Sequence, residues 1–116
     1  MARTATEVIE DHLNKRLQGN VEEDIKANFA EDIVILSSYG TFRGHDGVRE
    51  SADKLKKMLG KAEFAYNTTI IEGDYGFLEW SGRSGEAIVC DGADSFVVKG
   101  GLIVMQTIHY SAQSRY

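Results

Sequence analysis

Asp94-Ser95-Phe96-Val97-Val98-Lys99-Gly100-Gly101-Leu102-Ile103-Val104-Met105 decides the fold. Two apolar, β-branched runs flank a Lys-Gly-Gly turn, the pattern of an antiparallel hairpin. The same texture extends outward on both sides. Ala62 to Ile71, Phe77 to Ser81, Glu86 to Val98 and Leu102 to Ser111 read as strands, with turns at Gly73-Asp74-Tyr75-Gly76 and Gly82-Arg83-Ser84-Gly85. Asp91-Gly92 leaves two readings open: a bulge within one long strand, or a hairpin turn that splits it.

The N-terminal half has helical periodicity instead. Thr4 with Glu7 forms a capping box, and Ala5, Val8, Ile9, His12, Leu13 and Leu17 fall on one face. Gly19 ends that helix, and Asn20 is placed to cap a second, with Val21, Ile25 and Phe29 as its apolar stripe. Ile33-Val34-Ile35-Leu36 is a short strand, and Thr41-Phe42-Arg43 a brief return. Asp46 is placed to cap a third helix with Val48, Ala52, Leu55 and Leu59 buried and Lys54, Lys56 and Lys57 wet. The order α-α-β-(β)-α-β-β-β-β is an α+β layout with an antiparallel sheet, and residues 1–116 form a single domain. Apolar residues occupy both phases of the late strands. Both sheet faces are therefore expected to be covered, one by the helices and the other by a second copy of the chain, giving a homodimer through the sheet.

Composition narrows the function. Thirteen basic and eighteen acidic side chains give a net charge of −5, which argues against binding a nucleic-acid backbone. No apolar run approaches the roughly 18 residues of a membrane span. The opening residues enter a polar helix pattern without a signal-peptide core, and one cysteine, Cys90, allows no internal disulfide, so a cytoplasmic setting is expected. Cys90 has no base beside it and reads as a small buried hydrophobe. Three scattered histidines make no metal motif, and no nucleotide loop is present, so a cofactor-free site is expected.

Three stretches resemble the NTF2-like superfamily and, within it, the SnoaL-like proteins: Gly19-Asn20-Val21-Glu22-Glu23-Asp24-Ile25 through Phe29-Ala30-Glu31-Asp32-Ile33-Val34; Phe42-Arg43-Gly44-His45-Asp46-Gly47-Val48-Arg49-Glu50; and Asp94 through Ile103. The resemblance implies a cone-shaped α+β barrel, with three helices on a strongly curved antiparallel sheet enclosing a deep pocket. Its members include isomerases, cyclases, dehydratases, epoxide hydrolases and plain binding domains. Against the ketosteroid isomerase pattern, Ser37 stands where those enzymes carry an aspartate base. His12 falls near their oxyanion tyrosine and Ala52 at the supporting tyrosine. Asp94 alone matches, at their second carboxylic acid. The Arg-x-Asp of the epoxide hydrolases is absent from the sequence.

Asp94 shares a strand face with Phe96 and Val98; if that face lines the pocket, desolvation makes it a usable acid or base, and otherwise it is a loop acid. Glu79 lies mid-strand in Phe77-Leu78-Glu79-Trp80-Ser81. The isomerase register puts Phe77, Glu79 and Ser81 inside, where a glutamate must be paired or functional; the opposite phase buries Trp80. His12, on the apolar stripe, is a second proton handler or a satisfied core histidine. Asn28 is read as a helix-end hydrogen-bonding group. The pocket walls are expected to include Phe29, Ile35, Leu55, Phe77, Phe96, Ile108 and Tyr110, with Ser37, Tyr39 and Gln106 as polar groups. Two functions remain open: an acid–base isomerase, cyclase or (de)hydratase acting on an apolar, carbonyl-bearing small molecule, or a non-catalytic ligand-binding or dimerisation domain.

Overall fold

The computed structural model describes residues 2–116. Its elements are α1 (Ala5–Leu17), α2 (Val21–Asn28), β1 (Phe29–Ser37), β2 (Gly40–Arg43), α3 (Gly44–Leu59), β3 (Glu63–Glu72), β4 (Tyr75–Arg83), β5 (Ala87–Lys99), β6 (Leu102–His109) and β7 (Ala112–Ser114). Three helices pack on one face of a curved sheet of order β2-β1-β6-β5-β4-β3, with β7 pairing β5.

The sheet departs from the expected wholly antiparallel barrel in two ways. It is open, and it is mixed, because β1 and β6 run parallel (Ile35 beside Gln106, Ser37 beside Ile108). A parallel pair needs a long crossover. Here β2, α3 and the β3–β5 meander supply it.

Local signals set the helix ends. Thr4 and Glu7 close both arms of the capping box, at 2.9 and 3.2 Å. Gly19 and Gly60 follow α1 and α3 with positive φ, which side chains with a Cβ rarely adopt. Two expected caps differ. Asn20 precedes α2 without a side-chain cap bond, and α3 begins at Gly44, so Asp46 falls inside its first turn and pairs with Arg49 at 2.7 Å.

Strand phase is set by glycine and tryptophan. In β4 the buried phase is Gly76, Leu78, Trp80 and Gly82. A Cβ on Gly76 would strike Ile9 of α1, and one on Gly82 would approach Leu59 of α3, so the helices sit over these bare positions. Phe77, Glu79 and Ser81 therefore face outward, the reverse of the isomerase register and in line with the alternative phase that buries Trp80. Burying Leu78 and Trp80 leaves Glu79 hydrated, at no desolvation cost.

In β5, Asp91-Gly92 is a bulge and not a turn. Trp80 pairs Gly92 and Gly82 pairs Val89, so β5 carries one extra residue there. Cys90 and Asp91 both turn outward, and Cys90 is exposed rather than buried. A second bulge lies in β6, where Val97 pairs Met105 but Val98 pairs Ile103. The inward set thus passes from Ile103 to Gln106 and Ile108, and part of the two-phase apolar pattern reflects this slip.

Candidate functional site

Asp94 sits at the centre of the inner sheet face, opposite Leu78 on β4 and Ile108 on β6. Its diagonal neighbours are Trp80 and Gln106, within reach of long side chains. Trp80 Nε1 donates to Asp94 Oδ1 at 3.0 Å, and Gln106 Nε2 donates to Oδ2 at 3.1 Å. The indole reaches that position because Gly92 carries no side chain; a Cβ there would overlap the indole ring. Asp94 is only 8% exposed. Burial pushes its carboxyl up to about 6, while the two hydrogen bonds and the more distant Arg16 charge pull the other way.

The helices contribute a second polar group. His12 and Arg16 lie one turn apart on α1, facing Asp24 and Asn28, one turn apart on α2. His12 Nδ1 is 2.7 Å from Asp24 Oδ2, and Arg16 Nε donates to the same oxygen at 2.6 Å. Asn28 Nδ2 donates to Asp24 Oδ1 at 2.8 Å and to Asp11 Oδ2 at 2.9 Å, and its carbonyl accepts from Arg3. Burial would raise the Asp24 carboxyl, but its bonds to His12, Arg16 and Asn28 outweigh that and hold it below the usual carboxylate range. Burial lowers His12 against the pull of Asp24, so the imidazole is neutral with its proton on Nδ1. Nε2 then carries the lone pair. The ring stands edge-on to Phe29 and Phe96, with centroids 5.4 and 5.5 Å away. Phe96 is two residues from Asp94 on the same face, so its ring links the imidazole to the strand that carries the carboxyl.

Both line one cavity of about 350 Å³, within the usual range for small-molecule sites. Ile35, Gln106, Ile108 and Tyr110 form its sheet wall, Leu78 and Trp80 its floor, and Leu55 with Val48 its α3 side. Burial pushes the hydroxyls of Tyr66 and Tyr110 up to about 12, so both stay protonated.

Of the expected wall residues, Ile35, Leu55, Gln106, Ile108 and Tyr110 line the cavity. Phe29 and Phe96 are buried behind His12 and support its ring instead. Ser37 keeps the inward phase, but its hydroxyl accepts the Tyr39 N–H at 3.1 Å to close the β1–β2 turn. Tyr39 donates to the Tyr110 carbonyl at 3.0 Å and packs on the Tyr110 ring, outside the cavity lining. Phe77 and Glu79 are corrections: both lie on the opposite sheet face, across from Ser95 and Ala93.

Asp24, Arg16 and the Trp80 donor were not legible as site residues. Glu22-Glu23-Asp24 looks like an ordinary wet face. The available signal was the pairing of two i,i+4 sets, His12/Arg16 and Asp24/Asn28, on consecutive helices beside the apolar positions Leu13 and Ile25.

The model of the SnoaL-like domain matches residues 9–106. No curated protein matches the sequence. Among solved structures, an NTF2-like protein of unknown function from Cytophaga hutchinsonii superposes with a TM-score of 0.74 at 13% identity, covering 96% of this chain and 93% of the other. A candidate SnoaL-like polyketide cyclase from Mesorhizobium loti gives 0.70 at 16%, covering 93% and 100%. TerC, crystallised with polyporic acid, gives 0.74 at 18%, covering 92% and 91%. At such identities the structures share the fold.

Proposed function

The chain belongs to the SnoaL-like domain family, and from that premise we propose that it is a cofactor-independent acid–base catalyst acting on an apolar, carbonyl-bearing small molecule. The observation that carries the reading is Asp94: a buried carboxyl on a cavity wall, held by Trp80 and Gln106, with its pKa pushed up to about 6. A group titrating near working pH can both hold and release a proton. Protonated Asp94 donates to the substrate carbonyl oxygen. His12, oriented by Asp24, presents the Nε2 lone pair to a C–H beside that carbonyl. Proton removal gives an enol, which is reprotonated elsewhere (isomerisation), attacks a second carbonyl (cyclisation) or expels a β-hydroxyl (dehydration).

The neighbouring folds named as a polyketide cyclase and as a polyporic acid complex support a ligand of this kind. The open cavity counts against a pure dimerisation module, since Tyr39 and Phe77 leave it unfilled. A homodimer through the outer sheet face remains part of the proposal, supported by exposed Ile70, Tyr75 and Phe77 on one face. No helix among the described residues is long and apolar enough to cross a membrane. A cytoplasmic setting fits a chain whose cysteine is free.

The test is solvent deuterium uptake. Cyclic 1,3-diketones and aryl ketones that bind the cavity are incubated with protein in D₂O, and exchange of the C–H beside the carbonyl is followed by NMR. Asp94→Asn should slow exchange by roughly 10²–10⁴-fold while binding persists. Binding without any accelerated exchange by the wild-type protein would make this a binding domain.

A further inference from the structure

We propose that the cavity mouth is an anion subsite, in which Arg16 and Lys56 receive the carboxylate of a ligand whose apolar ring body fills the cavity. This deepens the preceding reading by naming the ligand class, and it rests on the cavity being a ligand site.

The charged side chains of the lining are Arg16 and Lys56, with Asp94 the one carboxylate. Asp94 lies on the sheet wall, bonded to Trp80 and Gln106. Arg16 and Lys56 sit in the last turns of α1 and α3, on the two helices that frame the opening. The Arg16 guanidinium is fixed along one edge, because its Nε donates to Asp24. Its two terminal nitrogens have no hydrogen-bond partner among the described residues. A guanidinium held in this way presents a planar pair of donors, the arrangement that matches a carboxylate.

Lys56 is the unpaired member of its group. Lys57 pairs with Asp53 at 2.8 Å, and Lys54 lies over the Tyr39 ring at 5.6 Å. Lys56 has no ion pair among the described residues, and it lines the cavity. Asp24 balances Arg16; of the carboxylates in the cleft beside Lys56, Glu22 is taken by Arg49 and Asp53 by Lys57, and Glu50 lies on the outer side of α3, away from the cavity lining. Basic residues near a helix C-terminus also favour the helix dipole. That role requires no place at the cavity, and Lys15 and Lys57 fill it beside them. The body of the ligand meets Leu55, Ile108, Trp80 and Tyr110, which offer no charge. A volume at the small end of the usual range suits one or two rings.

The test compares 2-naphthoate with 2-naphthamide, equal in shape and different in charge, by calorimetry at pH 7.5 and low salt. The acid should bind about tenfold more tightly, the scale of one good charged hydrogen bond, and added salt should erase that preference. Lys56→Gln, on the exposed helix face, and Arg16→Lys should each weaken naphthoate and leave naphthamide unchanged. Equal binding of the two probes, or equal weakening of both by Lys56→Gln, overturns the subsite and leaves the cavity reading standing. Binding of neither probe overturns both.

Discussion

Replacing Asp94 by Asn removes one titration while keeping shape, and the consequence for stability can be worked out in sign and size. The folded pKa is raised to about 6, from about 3.9 for a free aspartate. The folded protein therefore holds the Asp94 proton over a range where the unfolded chain has lost it. Stability from this group is fully present below pH 4 and is lost as pH rises through 6. Two pH units correspond to on the order of 3 kcal/mol. The wild-type protein should lose that amount relative to Asp94→Asn between pH 4 and pH 7.5. Urea unfolding at four pH values in that window measures it. With a slope of about 1–3 kcal/mol/M, the gap between the two midpoints should change by roughly 1–3 M. Asp24, Asp11, Asp91 and His12 titrate in both proteins and cancel in the difference. A gap that stays constant across the window would refute the claim that burial of Asp94 sets its proton affinity.

Trp80→Phe removes one donor to the carboxylate, a charged hydrogen bond worth about 1.5–3 kcal/mol, and should raise the Asp94 pKa by about 1–2 units in an NMR titration. Gly92→Ala should displace the indole and show as a shifted tryptophan emission with lost stability. Asp24→Ala leaves Arg16 and buried His12 without their shared partner and should cost about 3–5 kcal/mol in urea unfolding. Phe77→Asp, on the outer sheet face, should leave cavity binding intact and convert a sedimenting dimer to one chain; an unchanged dimer mass would place the interface elsewhere.

Much of the fold was legible because local signals agreed with one another. The Thr4/Glu7 box, Gly19 and the Lys99-Gly100-Gly101 turn each mark a boundary by backbone chemistry that needs no tertiary partner. The parallel β1–β6 pair was not legible, since pairing across such a distance leaves no local trace. The site divided in the same way. The inward placement of Asp94 could be read from its phase with Phe96 and Val98 together with its match to the isomerase pattern. The phase of Glu79 stayed open, and Phe77 was placed on the wrong face, because both phases of β4 carry large apolar residues. Gly76 and Gly82, which mark where α1 and α3 press on the sheet, were the signal that favours Leu78 and Trp80. Asp24 was missed because its burial depends on how α1 and α2 face each other, which the helical pattern of either one does not show.

The most direct test is the pKa of the Asp94 carboxyl in the wild-type protein, read by carbon NMR of ¹³C-labelled aspartate and assigned with Asp94→Asn. Burial on the cavity wall puts it at about 6. A value at or below that of a free aspartate, about 3.9, would mean that the carboxyl is solvated or ion-paired, and the acid–base role assigned to it would fall.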